Sequence, residues 1–140
     1  MSKNSNQFLQ TILWFVAIYH IILGCIGIFA KDLTVVLART FFNFNLILTD
    51  QISWVLNPFS AYLLIFGVFM ALAATNPSKY KTIIYIGIAL CAIRIAQRIF
   101  FFCSSPEGLI NNVDPFKNMI VLAVVVVIGI SMLLQVRRCN

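Results

Sequence analysis

Apolar and polar positions divide the chain into four long apolar stretches separated by polar segments. The first, 8–30, contains no charged residue, and at about 1.5 Å per helical residue it is long enough to cross the ~30 Å hydrocarbon core of a bilayer. Comparable stretches follow at 55–76, 82–102 and 118–136. The pattern predicts an all-α membrane protein, a bundle of four transmembrane helices in a single domain covering residues 1–140.

The segments between the four spans differ in character. Residues 31–54 mix large apolar side chains with charges and amides, which predicts a loop or short amphipathic helix lying in the membrane interface. Residues 76–81 form a short turn, so spans two and three should be antiparallel neighbours. We place Pro58 at the mouth of span two, where proline lacks only a donor that would be unpaired anyway. Residues 103–117 are polar and predict a loop.

Composition supports a lipid environment. Hydrophobic residues make up 61% of the chain, charged residues 10%, and the mean hydropathy is +0.98. A single core of the size that 140 residues can form cannot hide so much apolar surface from water. The remaining apolar surface should therefore face lipid. The first span lacks a small-residue cleavage site at its end, and we expect it to remain in the mature protein.

The distribution of charge predicts an orientation and excludes one class of partner. The net charge is +6, but the ten basic residues are scattered along the chain instead of forming a patch, which argues against nucleic acid. An N-terminus inside the cell would place five basic residues and no acidic ones on the cytoplasmic side: Lys3, Lys79, Lys81, Arg137 and Arg138. The positive-inside rule then predicts that both termini are cytoplasmic. We expect a multi-pass integral protein of a bacterial-type inner membrane.

Span three is unusual because it contains Arg94, Gln97 and Arg98. Arg94 is the thirteenth residue of that span, roughly 12 Å short of its outer boundary, and Arg98 is one turn nearer the outside. A guanidinium at such depth costs at least ~2.5 kcal/mol on insertion scales, so an intramembrane arginine indicates a functional site. The other interpretation is that these side chains extend to the outer headgroups, which suits Arg98 better than the deeper Arg94.

Helical spacing predicts which faces meet inside the bundle, since small residues mark the sides on which membrane helices approach each other. In span one the inward face combines Ala17, His20, Gly24 and Gly27. In span two it combines Asn57, Ser60, Gly67, Ala71 and Ala74, and in span three Gly87, Cys91, Arg94 and Arg98. Span four has no polar centre. We therefore expect the first three helices to turn these faces inward and the fourth to be more exposed to lipid.

Residue depth then predicts one polar pocket in the outer half of the bundle. His20 is the thirteenth residue of span one, which runs parallel to span three, so it should lie level with Arg94. Seven side chains are the candidate ligand-binding residues: His20, Asn57, Ser60, Tyr62, Arg94, Gln97 and Arg98. Two positive charges without an acid inside the membrane favour an anion or a carbonyl-bearing ligand, such as a lipid phosphate or a quinone.

A second interpretation of the same residues involves no ligand. One of the acids in the connecting segments, Asp32, Asp50, Glu107 or Asp114, would pair with Arg94 or Arg98, and the cluster would only fix the bundle. The two interpretations remain open at this point. His20 alone is more typical of a hydrogen bond to a neighbouring helix than of a ligand.

The sequence lacks the residue patterns of several kinds of metal-binding and catalytic site. The four cysteines show neither CxxC nor pairing with histidine at zinc-ligand spacing, and haem coordination has no second histidine. No nucleophile elbow, HExxH, phosphate-binding glycine loop or intramembrane acidic pair is present. We therefore predict no metal site, no cofactor other than a possible quinone or lipid, and no enzymatic activity of the chain on its own.

A combination of motifs resembles a known family. Tyr19-His20 is followed by Gly24 and Gly27, Asn57-Pro58-Phe59 opens span two, and Arg94 and Arg98 lie in span three. This arrangement resembles the DoxX-like superfamily of small four-helix membrane proteins, including its BphX-like branch, over nearly the whole chain. The resemblance implies an accessory subunit of a larger membrane complex, linked to redox or quinone chemistry. Other membrane subunits or further copies of the chain would be its protein partners. The alternative is a protein that itself binds an anionic lipid or quinone.

Overall fold

The computed structural model of the chain describes residues 3–43, 47–104 and 114–138. These residues form five α-helices and no strand: α1 (Lys3–Phe29), α2 (Lys31–Phe42), α3 (Asp50–Thr75), α4 (Lys81–Ser104) and α5 (Pro115–Arg138). All except α2 are long and apolar enough to cross a membrane. The predicted all-α bundle of four membrane helices is confirmed, and the protein is a multi-pass integral membrane protein.

The segment between the first two spans contains a short helix, α2, where the sequence predicted a loop or a short amphipathic helix. Helix α2 ends at Asn43, which has a left-handed backbone (φ 56) and donates its backbone N–H to the carbonyls of Ala38 and Arg39. Asparagine tolerates this conformation better than most residues. We call the side of the bundle that carries α2 the α2 side, and the side where α1 begins the N-terminal side.

Side-chain caps set where α3 and α5 begin. The Thr49 side chain accepts from the backbone N–H of Ile52 at 3.2 Å, so α3 starts five residues earlier than the predicted span. The Asp114 carboxylate accepts from the backbone N–H groups of Phe116 and Lys117, and Pro115 occupies the first helical position. The placement of Pro58 at a helix mouth was wrong: with α3 beginning at Asp50, it lies inside the helix.

Helices α1 and α3 form the most extensive contact of the bundle. A Cβ atom added at Gly24 would lie 2.7 Å from the backbone nitrogen of Leu64, and one added at Gly67 would lie 2.8 Å from the backbone nitrogen of Ile21. The two backbones can therefore approach only because glycine occupies these positions. The predicted inward faces of spans one and two meet along this contact.

Helix α4 packs mainly against α5 and makes few contacts with α3, although the two are joined by a short turn. Gly129 of α5 faces Cys91, and Gly87 faces Met70 and Met132. The expectation that the fourth span is the more exposed one was wrong. Only 6% of the residues in the membrane-crossing part of α4 are buried, against 17% in that of α5. The close α1–α3 contact leaves α4 at the edge, with α5 covering one side of it.

The apolar core lies toward the N-terminal side. It consists of buried side chains from α1, α3, α4 and α5: Leu9, Leu13, Val16, Ala17, Met70, Ala73, Ala74, Ile84, Met132 and Val136. Large apolar side chains cover the outside of the bundle, as a surface in contact with lipid requires. The buried polar side chains belong to His20, Ser60 and Asn118. His20 and Asn118 belong to a second, polar group of side chains that lies nearer the α2 side.

Candidate functional site

His20 occupies the inward stripe of α1, where it is only 6% exposed. Its Nδ1 lies 2.7 Å from the carbonyl oxygen of Val16. Because a carbonyl oxygen can only accept, Nδ1 carries the proton of this hydrogen bond. The imidazole also makes edge-to-face contacts with Tyr19 and Phe66, at ring-centroid distances of 5.1 and 4.8 Å. The ring is thereby held in one orientation, with Nε2 as its second polar atom.

Arg94 brings a positive charge to the same layer of the bundle. It is half-buried and close enough to His20, Cys91 and Arg98 for a Coulombic interaction with each. The predicted agreement in depth between His20 and Arg94 stays a prediction, and their interaction accords with it. Within the described ranges Arg94 forms no hydrogen bond or ion pair. Its positive charge is therefore not neutralised by any of these neighbours.

Arg98, one turn along α4 from Arg94, connects α4 to α5. Its Nη1 donates a hydrogen bond to the side-chain oxygen of Asn118 on α5, and Tyr19 on α1 lies close to the same guanidinium. Asn118 is only 5% exposed. Arg98 therefore extends into the bundle and does not only reach for headgroups. The alternative in which Glu107 pairs with Arg94 or Arg98 involves a residue outside the described part of the chain.

The seven predicted site residues do not all come together. Arg94 interacts with both His20 and Arg98, and we group these three residues on that basis. Ser60 is buried against Gly27, which lies roughly 10 Å along the α1 axis from His20. Asn57, Tyr62 and Gln97 are exposed on the outside of α3 and α4, with Tyr62 at 71%. Agreement in depth could not predict which way each side chain turns about its helix axis.

Tyr19 and Asn118 belong to the cluster although sequence analysis did not select them. Asn118 is the first uncharged polar residue after the Asp114-Pro115 cap, and at the start of α5 it lies opposite the final turns of α4. The same depth argument that selected His20 would have found it. Asn118 is the first residue of the predicted span 118–136, so the centre of that span is aliphatic, as described from the sequence. We call Tyr19, His20, Arg94, Arg98 and Asn118 the polar cluster.

The polar cluster offers hydrogen-bond donors and positive charge. Two guanidinium groups one helical turn apart, with an imidazole beside one of them, suit an oxygen-bearing group such as a carboxylate, a phosphate or a carbonyl. Residues 3–43, 47–104 and 114–138 contain no group of three or more histidine, cysteine or acidic side chains that could hold a metal ion. The geometry thus favours binding of an acceptor group at Arg94.

Comparisons of the chain with protein-family models, curated proteins and solved structures find no match. Membership of the DoxX-like superfamily therefore stays a prediction, and the function has to be argued from the packing of α4 and from the polar cluster.

Proposed function

We propose that this protein is a small membrane subunit that associates through α4 with another membrane helix in a larger complex. The observation that carries the proposal is an inversion between polarity and burial. The membrane-crossing part of α4 contains Arg94, Gln97 and Arg98, yet it is the least buried of the four, with only 6% of its residues buried. In lipid, the helix with most polar groups is the one that gains most from being covered.

The exposed face of α4 has the chemistry of a helix contact. Ala89, Ala92 and Ala96 follow at steps of three and four, so they share one stripe, and all three are exposed. Small residues at this spacing let a second helix approach closely. Gln97, beside the stripe, exposes an amide to the membrane that a polar side chain of the partner helix would satisfy. The DoxX-like resemblance favours a redox or quinone-linked complex as the setting.

The test measures the mass of the particle extracted with its native lipids. We expect the wild-type chain to run in a complex well above 15.8 kDa, and Ala92→Trp to release it as a single chain, because a bulky ring on the stripe keeps the partner helix away. Ala123→Trp, at an exposed position of α5, is the matched control and should leave the complex intact. A wild-type particle containing one copy of this chain and no other polypeptide would refute the proposal.

A second candidate function is the binding of an anionic lipid or quinone by the chain itself. It is favoured by Arg94, a half-buried cation at membrane depth without a hydrogen bond or ion pair in the described residues. Arg94→Leu should remove the ligand while the bundle persists, because the side chain makes no bond that holds two helices together. Mass spectrometry of co-purified lipids and quinones tests this, with Arg39→Leu on exposed α2 as the control. Unchanged lipid and quinone content in Arg94→Leu would remove this candidate.

A further inference from the structure

A groove of about 180 Å³ lies between α3 and α4. All five residues that line it are apolar: Phe66, Phe69, Met70, Ile83 and Ile86. It exists because the two helices make few contacts beyond the region where Met70 meets Gly87. The groove has room for a short stretch of hydrocarbon chain, and its lining offers no hydrogen bond to a polar group.

The apolar groove adjoins the polar cluster. Phe66 lines the groove and also packs on the His20 ring, at 4.8 Å between ring centroids. On α4, Ile86, Leu90 and Arg94 follow at steps of four and therefore share one side of the helix. Arg94 lies roughly 12 Å along the axis from Ile86. One continuous strip thus runs from the apolar groove to a positive charge that forms no ion pair within the described part of the chain.

We propose that the groove and Arg94 form a single site for an anionic amphiphile, with its hydrocarbon chain in the groove and its carboxylate or phosphate head at Arg94. The inference rests on the second candidate function and specifies its ligand. Charge complementarity selects the head: an anion neutralises Arg94, for which none of the described residues supplies a counter-charge, whereas a neutral carbonyl would only accept a hydrogen bond. The apolar lining selects the chain.

The test uses the intact protein in nanodiscs of phosphatidylcholine, with photoreactive probes that share one alkyl chain. The probes are a fatty acid, a phosphatidic acid and the corresponding neutral alcohol. We expect crosslinks to α3 and α4 from the two acids at about tenfold the yield of the alcohol, which corresponds to about 1.4 kcal/mol. Equal yields from acid and alcohol would overturn the proposed head recognition.

Two variants separate the parts of the site. Arg94→Gln should lower the yield of both acids to that of the alcohol. Ile86→Trp, at a 54% exposed position, should fill the groove and lower the yield of all three probes, whereas Val127→Trp, at a 63% exposed position of α5, should change none. Thermal unfolding identifies any variant that has lost its fold. If Ile86→Trp has lost it, Ile86→Phe is used in its place.

The outcomes distinguish the deeper inference from the function on which it rests. Loss of acid binding in Arg94→Gln with full binding in Ile86→Trp would leave an anion site and refute the groove. If inorganic phosphate competed as effectively as the fatty acid, the groove would likewise be refuted, because the hydrocarbon chain of the ligand would add nothing to binding. Acid binding unaffected by either variant would refute both the site and the second candidate function.

Discussion

The Arg98 guanidinium donates a hydrogen bond to the side-chain oxygen of Asn118, joining the last turns of α4 to the first turn of α5. Asn118 is almost completely buried, so its amide has little access to other partners. Tyr19 on α1 lies close to the same guanidinium. The hydrogen bond between Arg98 and Asn118 joins α4 to α5 on the α2 side, where the apolar core does not reach.

Asn118→Leu should destabilise the bundle, because it removes the acceptor for a charged donor. A hydrogen bond to a charged group contributes about 1.5–3 kcal/mol, and we expect a loss of that order in the free energy of unfolding, measured by steric trapping in bicelles. Asn118→Asp retains an acceptor and should keep most of the stability. Equal stability of Asn118→Leu and the wild-type protein would show that the contact is unimportant.

Gly24→Ala should weaken the α1–α3 contact. The added Cβ would lie 2.8 Å from the Cα of Leu64, and a backbone atom cannot move away as a flexible side chain can. Overpacking of this kind costs about 1–3 kcal/mol, measurable as the free energy of unfolding. Gly129→Ala is the matched control: its nearest atom would be the Cβ of Cys91 at 3.3 Å, so it should cost clearly less. The reverse order would contradict the packing described for these helices.

Asp114→Ala should shorten or fray the start of α5. The carboxylate accepts from two backbone N–H groups, of Phe116 at 3.0 Å and of Lys117 at 3.2 Å, which would otherwise lack a partner. Loss of such a cap costs about 1 kcal/mol. Hydrogen exchange should accelerate in the first turn of α5, while Asp114→Ser, which retains an acceptor, should stay near the wild-type rate. An unchanged exchange pattern in the alanine variant would count against the cap.

Lys117→Met should loosen α2. The Lys117 ammonium donates to the carbonyl oxygen of Thr40 at 2.8 Å, linking the start of α5 to the last turn of α2. Because the contact is exposed, we expect little change in global stability but about tenfold faster hydrogen exchange near the end of α2. Lys31→Met, at the other end of α2, is the control. Equal effects of the two variants would show that the contact does not anchor the helix.

The predicted orientation is open to a direct test with thiol reagents. Cys103 is exposed near the end of α4, on the α2 side. If both termini are cytoplasmic, a membrane-impermeant maleimide added to intact cells should label Cys103 in a Cys139→Ser background, while the half-buried Cys25 and Cys91 should stay unlabelled. Cys103→Ser is the control for specificity. Labelling of Cys103 only after the cells are opened would reverse the orientation.

Patterns along the chain were sufficient to predict the membrane class, the four helices and the inward stripes of α1 and α3. Each of these follows from local properties: a helix needs about 20 apolar residues to cross a bilayer, and small residues at steps of three and four identify the face that another helix can approach. The sequence also predicts that His20 lies level with Arg94, because helical rise converts residue number into depth.

Only the tertiary structure decided which helices became neighbours and which polar residues met. Gly24 and Gly67 joined α1 closely to α3, leaving α4 against α5 with most of its surface open. Rotation about each helix axis brought Asn118 to Arg98 and turned Tyr62 outward. Depth in the membrane is a one-dimensional property that sequence encodes directly, whereas lateral packing depends on contacts between residues far apart in the chain.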